Sequence, residues 1–308
     1  MKITRGEVTG SLTDYLSNLV SRSILVALLA LPYTLRVRLM GWVMAWVVGP
    51  LVGYHARVKA NLRFVMPELS ARETRRIARA VADNAGRTLI EIYSGPEFVA
   101  RMRDVPFEGA GVEALFAARD AGKPVVLVTG HFGNYDVPRG VLTAAGYPMT
   151  AIYKPLTNPF FNEHYVKAAK TIGEPLLART GKGFARMVRN LAAGQMAGIL
   201  FDLHVQQAPY LDFFGKPART PTSAAEMALK FDALLIPIYG VRAENGLDFT
   251  VVVDAPIPHT DPITMTQAMN DGLEALTRKH MGQWFWIHKR WKPEAYPAEI
   301  KAKLEGRG

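Results

Sequence analysis

Cysteine is absent from this chain of 308 residues. Without a thiol the protein has no disulfide framework, no thiolate nucleophile and no thiolate ligand for a metal ion. Any chemistry that it carries must therefore use histidine, carboxylates, hydroxyls or amines. The absence is more typical of the cytosol than of an oxidising compartment.

Acidic residues are scarce, because 27 Asp and Glu face 37 Lys and Arg, which gives a net charge of +10. This charge favours an anionic partner such as nucleic acid, anionic lipid or an acidic protein. The chain shows no recognition helix, zinc finger or ribonucleoprotein motif, so we do not expect nucleic acid. An apolar content of 49% and a mean hydropathy of +0.05 exclude a disordered chain.

Residues 1–64 concentrate the positive charge, with eight basic and two acidic side chains. They also contain two uncharged apolar runs, 23–35 and 39–56. The first run is shorter than the roughly 20 residues of a membrane-spanning helix, and Gly49 with Pro50 interrupts the second. Basic residues beside apolar segments are typical of a membrane surface. We therefore expect 1–64 to be a membrane-associating helical region, with buried core helices as the alternative.

The rest of the chain alternates between helical patterns and short apolar runs. A capping box formed by Ser70 and Glu73 predicts a helix over 71–93, and we expect residues 65–105 to form a helical hairpin. The alternation over residues 106–308 predicts an α/β catalytic domain with a central, mostly parallel sheet flanked by helices. The predicted strands are 124–129, 149–153, 196–201, 234–241 and 249–254, and the predicted helices between and after them are 158–170, 182–193, 223–231 and 264–281.

The segment 130–136, GHFGNYD, follows a predicted strand at the end where α/β folds place their sites. Asn134 is a good helix N-cap and Pro138 fits a first helical turn, so Asp136 should lie at a helix N-terminus, which favours its ionised form. A turn between His131 and Asp136 would let the carboxylate bind one imidazole nitrogen and leave the other free to take a proton. The spacing predicts a general-base dyad, and a hydrogen-bonded structural histidine is the alternative.

The His-x4-Asp pattern resembles the signature of the glycerolipid and lipid A acyltransferases. Further blocks are similar to the bacterial lipid A late acyltransferases, the lauroyl and myristoyl transferase group. The similarity runs from about residue 50 to residue 292. The blocks are RVKANLR at 57–63, MPELS at 66–70, YKP at 153–155 with NP at 158–159, FDLH at 201–204, FFGKP at 213–217 and WIHKRW at 286–291.

The resemblance implies transfer of a fatty acyl chain from an acyl carrier protein thioester to a hydroxyl of a lipid A precursor, at the cytoplasmic face of the inner membrane. It also implies a glycerolipid acyltransferase-like fold and no metal or dissociable cofactor. In such a reaction His131 deprotonates the acceptor hydroxyl and Asp136 supports the imidazolium. Backbone N–H groups near 133–136 would then stabilise the developing oxyanion.

The resemblance also assigns substrate-binding roles to Asn134, Lys154, Asp202 and Arg219. Lys154 stands where the family often has Arg and would bind phosphate as a point charge. Asp202 matches a second functional acid, although an Asp here can also act as a cap. Arg219 precedes a predicted helix, where it would meet an anionic headgroup or simply be a surface residue.

Three alternatives remain open. Members that act on lipid A commonly have Glu where this chain has Asp136, so the acceptor could be a glycerolipid or another glycolipid. A metal-dependent hydrolase is suggested by Asp202 with His204 and by Gly133 with Asn134, but their order along the chain is the reverse of that in metallophosphoesterases. A membrane-binding module without catalysis is the third alternative.

Overall fold

The computed structural model describes residues 2–305. It opens with an antiparallel hairpin of β1 (Lys2–Arg5) and β2 (Val8–Ser11), which the sequence did not predict. Helices then follow one another up to residue 65. They are α1 (Leu12–Leu29), α2 (Tyr33–Val43), a π-helical turn (Met44–Val48), α3 (Gly49–Leu51) and α4 (Tyr54–Val65).

Helix α1 begins well before the apolar run at 23–35, because Ser11 and Asp14 form a capping box at its start. With 18 residues, of which 17% are buried, it is long and apolar enough to cross a membrane. The helical stretch 33–51 and α4 pass the same test only as a pair bent by 83°. The core helix of a soluble protein or a signal sequence can have the same length and hydropathy.

The predicted capping box starts α5 (Ala71–Tyr93), and the predicted helix is confirmed to the residue. The backbone N–H of Glu73 donates to the Ser70 hydroxyl at 3.2 Å. Helix α5 packs closely on α2, since a Cβ at Gly86 would lie 2.6 Å from the carbonyl oxygen of Met40. A short helix, α6 (Gly95–Arg101), follows.

The central sheet has seven strands in the order β3-β11-β10-β4-β7-β5-β6. Neighbouring strands are parallel except β10 and β11, so the predicted fold class is confirmed. Some strands were not predicted from the sequence, either because they are too short to show a hydrophobic pattern or because they contain a proline. The strands are β3 (Phe107–Glu108), β4 (Val125–Thr129), β5 (Met149–Tyr153), β6 (Leu176–Ala178), β7 (Met196–Leu200), a separate hairpin of β8 (Tyr210–Phe213) and β9 (Lys216–Arg219), then β10 (Leu234–Arg242) and β11 (Phe249–Val253).

Both faces of the sheet are covered by apolar side chains. All five residues of β4 are buried; Val126 and Val128 join one core, while Val125 and Leu127 join the other. This alternation is expected of a strand with period two between two helical layers. The remaining helices are α7 (Val112–Asp120), α8 (Val137–Ala144), α9 (Pro159–Ile172), α10 (Gly181–Ala192), α11 (Ser223–Lys230), α12 (Pro262–Lys279), a 3-10 turn (Pro293–Ala295) and α13 (Ala298–Glu305).

The aromatic segment after α12 closes one of the two cores. Trp284 and Trp286 have no exposed surface, and Trp291 is also buried. The ring centres of Trp284 and Trp286 are 4.7 Å apart in an edge-to-face arrangement. These tryptophans are packing residues and not anchors at a membrane edge.

A buried ion pair joins α5 to the sheet. Glu91 has no exposed surface, and its Oε2 accepts from Arg242 Nη2 at 2.8 Å, with a second contact between Oε1 and Nη1. Removing one partner would leave the other charge buried and uncompensated. We predict that Glu91→Ala lowers the free energy of unfolding by about 3–5 kcal/mol, measured by urea unfolding followed by tryptophan fluorescence.

Lys170→Ala provides the control, because it breaks an exposed pair with Glu174. Such a pair contributes about 1 kcal/mol or less. Equal losses in the two variants would contradict the importance of the buried pair.

Candidate active site

The site forms where two neighbouring parallel strands end. The register between β4 and β7 pairs Thr129 with Leu200, and the N–H of Phe201 donates to the Thr129 carbonyl at 3.2 Å. Because the strands run in the same direction, the residues two positions beyond each end also lie side by side. These residues are His131 and Asp202.

Asp202 binds His131 at two points, the imidazole and the backbone N–H. His131 Nδ1 lies 2.8 Å from Asp202 Oδ1, and the backbone N–H of His131 donates to Oδ2 at 2.8 Å. The indole N–H of Trp284 also donates to Oδ2, at 2.9 Å. Burial by itself would raise the pKa of Asp202, but the charge of His131 and its hydrogen bonds outweigh burial and lower the pKa. An ionised Asp202 fixes the proton on Nδ1 and leaves Nε2 of His131 as the basic nitrogen.

The expected pair between His131 and Asp136 is not formed among the described residues. Asp136 Oδ1 instead accepts from Arg139 Nε at 3.0 Å and from Nη2 at 2.6 Å. Asp136 is the N-cap residue of α8, so a side chain three residues further on lies on the same face. Arg139 also donates to the carbonyl of Ala169 at 2.9 Å and is buried. The partner of the imidazole therefore comes from the next strand, and the predicted dyad partner was wrong.

The loop after His131 is tied down through its backbone. The N–H of Gly133 donates to the carbonyl of Gln283 at 3.0 Å, and that of Asn134 donates to the carbonyl of Gly240 at 3.1 Å. Gly133 has φ +53°, and a Cβ there would lie 1.9 Å from the Gly240 oxygen, so a side chain cannot be accommodated. The Asp136 N–H donates to Asn134 Oδ1 at 3.0 Å. Three of the four expected oxyanion donors, the N–H groups of Gly133, Asn134 and Asp136, therefore already donate to acceptors within the protein.

Tyr135 supplies the remaining N–H of this stretch, and it has no acceptor within residues 2–305. Its ring centre lies 5.3 Å from that of His131. The N–H of Tyr135, four residues after His131, is therefore a candidate oxyanion donor.

The other expected substrate-binding residues have different surroundings. Asn134 is completely buried, and its amide donates to Glu91 at 2.8 Å, so it holds the loop. Lys154 is exposed and directly follows β5, at the same edge of the sheet as His131. Arg219 Nη1 donates to the Ala208 carbonyl at 2.6 Å, and the guanidinium lies over the ring of Tyr210.

His288 is a site residue that the sequence reasoning missed, although it lies within the WIHKRW block. Its ring centre is 4.5 Å from that of His131, in an edge-to-face arrangement. Burial lowers the pKa of His288 to about 3, so the ring is neutral at pH 7. Its Nε2 is buried and has no hydrogen-bond partner among the described residues.

A chain of aromatic rings leads from the site to an exposed apolar surface. The ring of Phe285 lies 6.3 Å from His131 and 6.5 Å from Tyr54. Tyr54 begins α4, directly after the exposed Leu51 and Val52. We define the N-terminal apolar surface as the exposed large apolar side chains of this region: Leu12, Leu16, Leu19, Val20, Val26, Leu35, Trp42, Trp46, Val47, Leu51 and Val52.

Metal-ligand residue types do not converge in the described part of the chain. No group of three or more His, Asp or Glu side chains there could hold a metal ion. Asp202 and His204, which suggested a metal-dependent hydrolase, lie in one loop, but both carboxylate oxygens of Asp202 bind His131 and Trp284.

The sequence profile of bacterial lipid A biosynthesis acyltransferases matches residues 9–293. The chain belongs to this family. The resemblance seen in the sequence blocks is thereby confirmed. The family match covers α1 as well as His131 and Asp202.

The individual proteins to which this chain is similar are distant relatives. A lipid A biosynthesis acyltransferase of Haemophilus influenzae is 27% identical over 183 residues, which are 58% of this chain and 57% of that protein. The lipid A biosynthesis myristoyltransferase of Escherichia coli is 23% identical over 254 residues, 80% of this chain and 77% of its own. A phosphatidylinositol mannoside acyltransferase of Mycobacterium tuberculosis is 23% identical over 218 residues, 69% of each chain. The alignment with the Haemophilus protein thus spans less than two thirds of that relative.

The lowered pKa of His288 predicts that acid destabilises the fold. An unfolded histidine has a pKa of about 6.5, so between pH 6.5 and 3 the unfolded chain binds the additional proton. The free energy of unfolding therefore keeps its full value above pH 6.5, as far as His288 is concerned, and decreases as the pH falls towards 3. The slope of the unfolding free energy against pH is proportional to the number of protons taken up on unfolding. Because His288→Gln removes one such proton, it should reduce this slope by up to about 1.4 kcal/mol per pH unit.

Urea unfolding at a series of pH values between 6.5 and 4.5 measures this slope. The slope is the informative quantity because the substitution can change stability equally at every pH. Identical slopes in the variant and the wild type would show that His288 does not titrate in this way.

Proposed function

We propose that this protein transfers a fatty acyl chain from an acyl carrier protein thioester to a hydroxyl of a lipid A precursor, at the cytoplasmic face of the inner membrane. The observation that carries the proposal is the His131 imidazole, whose Nδ1 binds the buried Asp202 while Nε2 binds no described residue. Membership of the family and the net charge of +10 support an anionic lipid acceptor and an acidic donor.

The reaction follows from the free nitrogen of His131. Nε2 takes the proton from the acceptor hydroxyl as its oxygen attacks the thioester carbonyl. Asp202 stabilises the resulting imidazolium, and the N–H of Tyr135 donates to the developing oxyanion. Collapse of the tetrahedral intermediate breaks the carbon–sulfur bond, and the departing thiolate takes the proton back from His131. The products are an ester and a free thiol, and the chain needs no acylated side chain of its own.

Asp136 has a positioning role in this mechanism. Its buried pair with Arg139 ties the start of α8 to the carbonyl of Ala169, and so supports the loop that carries His131. The pair does not contact the imidazole in the described structure.

The two acids can be separated by matched substitutions. His131→Ala and Asp202→Asn should each lower kcat by about 10²–10⁴-fold, because they remove the base or its orientation. Asp136→Asn should lower kcat less than tenfold and mainly reduce stability. Transfer from acyl carrier protein thioester to tetraacylated lipid A precursor is followed by mass spectrometry.

A larger loss of kcat in Asp136→Asn than in Asp202→Asn would restore the predicted dyad and contradict the assignment. Full activity of His131→Ala would remove the mechanism. Turnover that depends on an added metal ion and releases free fatty acid would favour the hydrolase.

Phosphatidylinositol mannosides are a second candidate class of acceptor, because some relatives of this chain are phosphatidylinositol mannoside acyltransferases. Lipid A precursors and phosphatidylinositol mannosides are both phosphorylated glycolipids. Lys154, exposed at the edge of the sheet that carries the site, would bind the phosphate. Parallel assays with lipid A precursor, phosphatidylinositol mannoside and lysophosphatidic acid identify the acceptor class by its kcat/KM.

We infer that the N-terminal apolar surface contacts the membrane. It includes Trp46 at 52% exposure and Leu51 at 81%. Transfer of large apolar side chains out of water contributes about 1.5–3 kcal/mol each when complete. The double variant Trp46→Ser, Leu51→Ser should therefore bind vesicles of phosphatidylethanolamine and phosphatidylglycerol at least about tenfold more weakly, measured by sedimentation.

The matched control is Phe184→Ser with Ile263→Ser, which removes two exposed apolar side chains outside the N-terminal region. It should leave vesicle binding unchanged. Similar losses in both double variants would show that binding does not depend on the N-terminal apolar surface.

A further inference from the structure

Four arginines form a stripe on the first half of α5. Arg72, Arg75, Arg76 and Arg79 are all exposed. Their spacing of three, four and seven residues places them on one face of the helix. Along the axis the stripe extends about 10 Å, at 1.5 Å per residue. We call these four residues the arginine stripe.

One acid, Glu73, lies among the four arginines of the stripe and balances only part of their charge. None of its members forms an ion pair with a described carboxylate. Glu73 lies within the stripe, but its carboxylate accepts from the backbone N–H of Ser70 at 3.0 Å as part of the helix cap. Arg79 lies over the ring of Trp46, with its guanidinium carbon 4.2 Å from the ring centre. With four arginines and one glutamate, the stripe presents a net positive charge to a partner.

The exposed side chains of the arginine stripe border a depression that is open to solvent. A cavity of about 780 Å³ is lined by the four arginines and Glu73. A second cavity of about 350 Å³ lies between Arg76 and the end of α12, where Lys279 adds a basic side chain. Arg278 also lines this cavity, but its Nη2 donates to Glu274 Oε1 at 2.7 Å. The basic surface thus continues from α5 to α12.

The second cavity lies directly behind the loop that carries His131. Its wall includes residues 279–283, and the carbonyl of Gln283 accepts from the N–H of Gly133 at 3.0 Å. Two residues further on, the N–H of Phe285 donates to the His131 carbonyl at 2.9 Å. A partner bound to this surface would therefore sit beside the catalytic loop.

We propose that the arginine stripe, together with Lys279, is the docking surface for the acidic carrier protein that delivers the acyl thioester. This rests on the proposed function. Guanidinium groups bind carboxylates as rigid forks, so a row of arginines suits a row of Asp and Glu side chains. An acidic protein matches the charge of this surface, whereas a bilayer matches the exposed apolar side chains of the N-terminal apolar surface.

The test is charge reversal of two stripe residues, Arg72→Glu with Arg76→Glu. The matched control is Lys182→Glu with Arg186→Glu on α10, which are exposed, have the same spacing and change the net charge equally. KM and kcat are measured with the acyl chain on carrier protein and on pantetheine, which is uncharged. We expect the stripe variant to raise KM for the carrier-linked donor at least tenfold, with kcat and the pantetheine KM unchanged. The control should stay within twofold of the wild type.

Binding of fluorescently labelled carrier protein, measured by anisotropy, separates docking from turnover. We expect at least tenfold weaker binding by the stripe variant than by the control. Equal binding of carrier protein by the stripe variant and the control would overturn the proposal. If the stripe variant instead binds phosphatidylglycerol vesicles more weakly and keeps its KM for the carrier-linked donor, the proposal is also overturned, and the stripe is assigned to lipid headgroups. If the wild type transfers no acyl chain from any thioester, the proposed function fails, and the anisotropy result still decides whether the stripe binds the acidic protein.

Discussion

The hydrogen bond between the buried Asp202 and the His131 imidazole is the interaction on which the site depends. A carboxylate without exposed surface stays ionised only where donors surround it, and here His131 and Trp284 supply three such bonds. In return the carboxylate selects the tautomer of the imidazole and restricts its rotation. The parallel register of β4 and β7 makes this possible, because it places the two residues at equal distances beyond their strands.

Helix α5 connects the parts of the molecule that the proposed function needs. Its Gly86 lets α2 of the N-terminal region approach closely, and Thr88 donates at 3.0 Å to the carbonyl of Gly133, in the loop that follows His131. Its Glu91 binds both Arg242 of the sheet and Asn134 of the loop. The same helix begins with the arginine stripe. One helix thus links the apolar helices, the loop that follows His131 and the basic surface.

Local patterns predicted most of the secondary structure. The helix over 71–93 is confirmed to the residue, since a capping box and a regular apolar face are both local signals. The five predicted strands lie within a residue of the observed ones, because buried parallel strands appear as continuous apolar runs. The hairpin of β8 and β9 was missed, because β9 reads KPAR and contains a proline.

By itself the sequence determined the fold class, the position of His131 at the end of a strand, and the family. It could not determine which carboxylate faces His131, because that depends on which strand lies beside β4. Asp136 is near in sequence but binds Arg139 one turn away, whereas Asp202 is 71 residues distant and is brought to the imidazole by sheet register. The neutral His288 beside His131, and the cavity between Arg76 and the end of α12, likewise depend on contacts between segments far apart in the chain. Such contacts leave no periodic signal in the sequence, so only the tertiary structure could establish them.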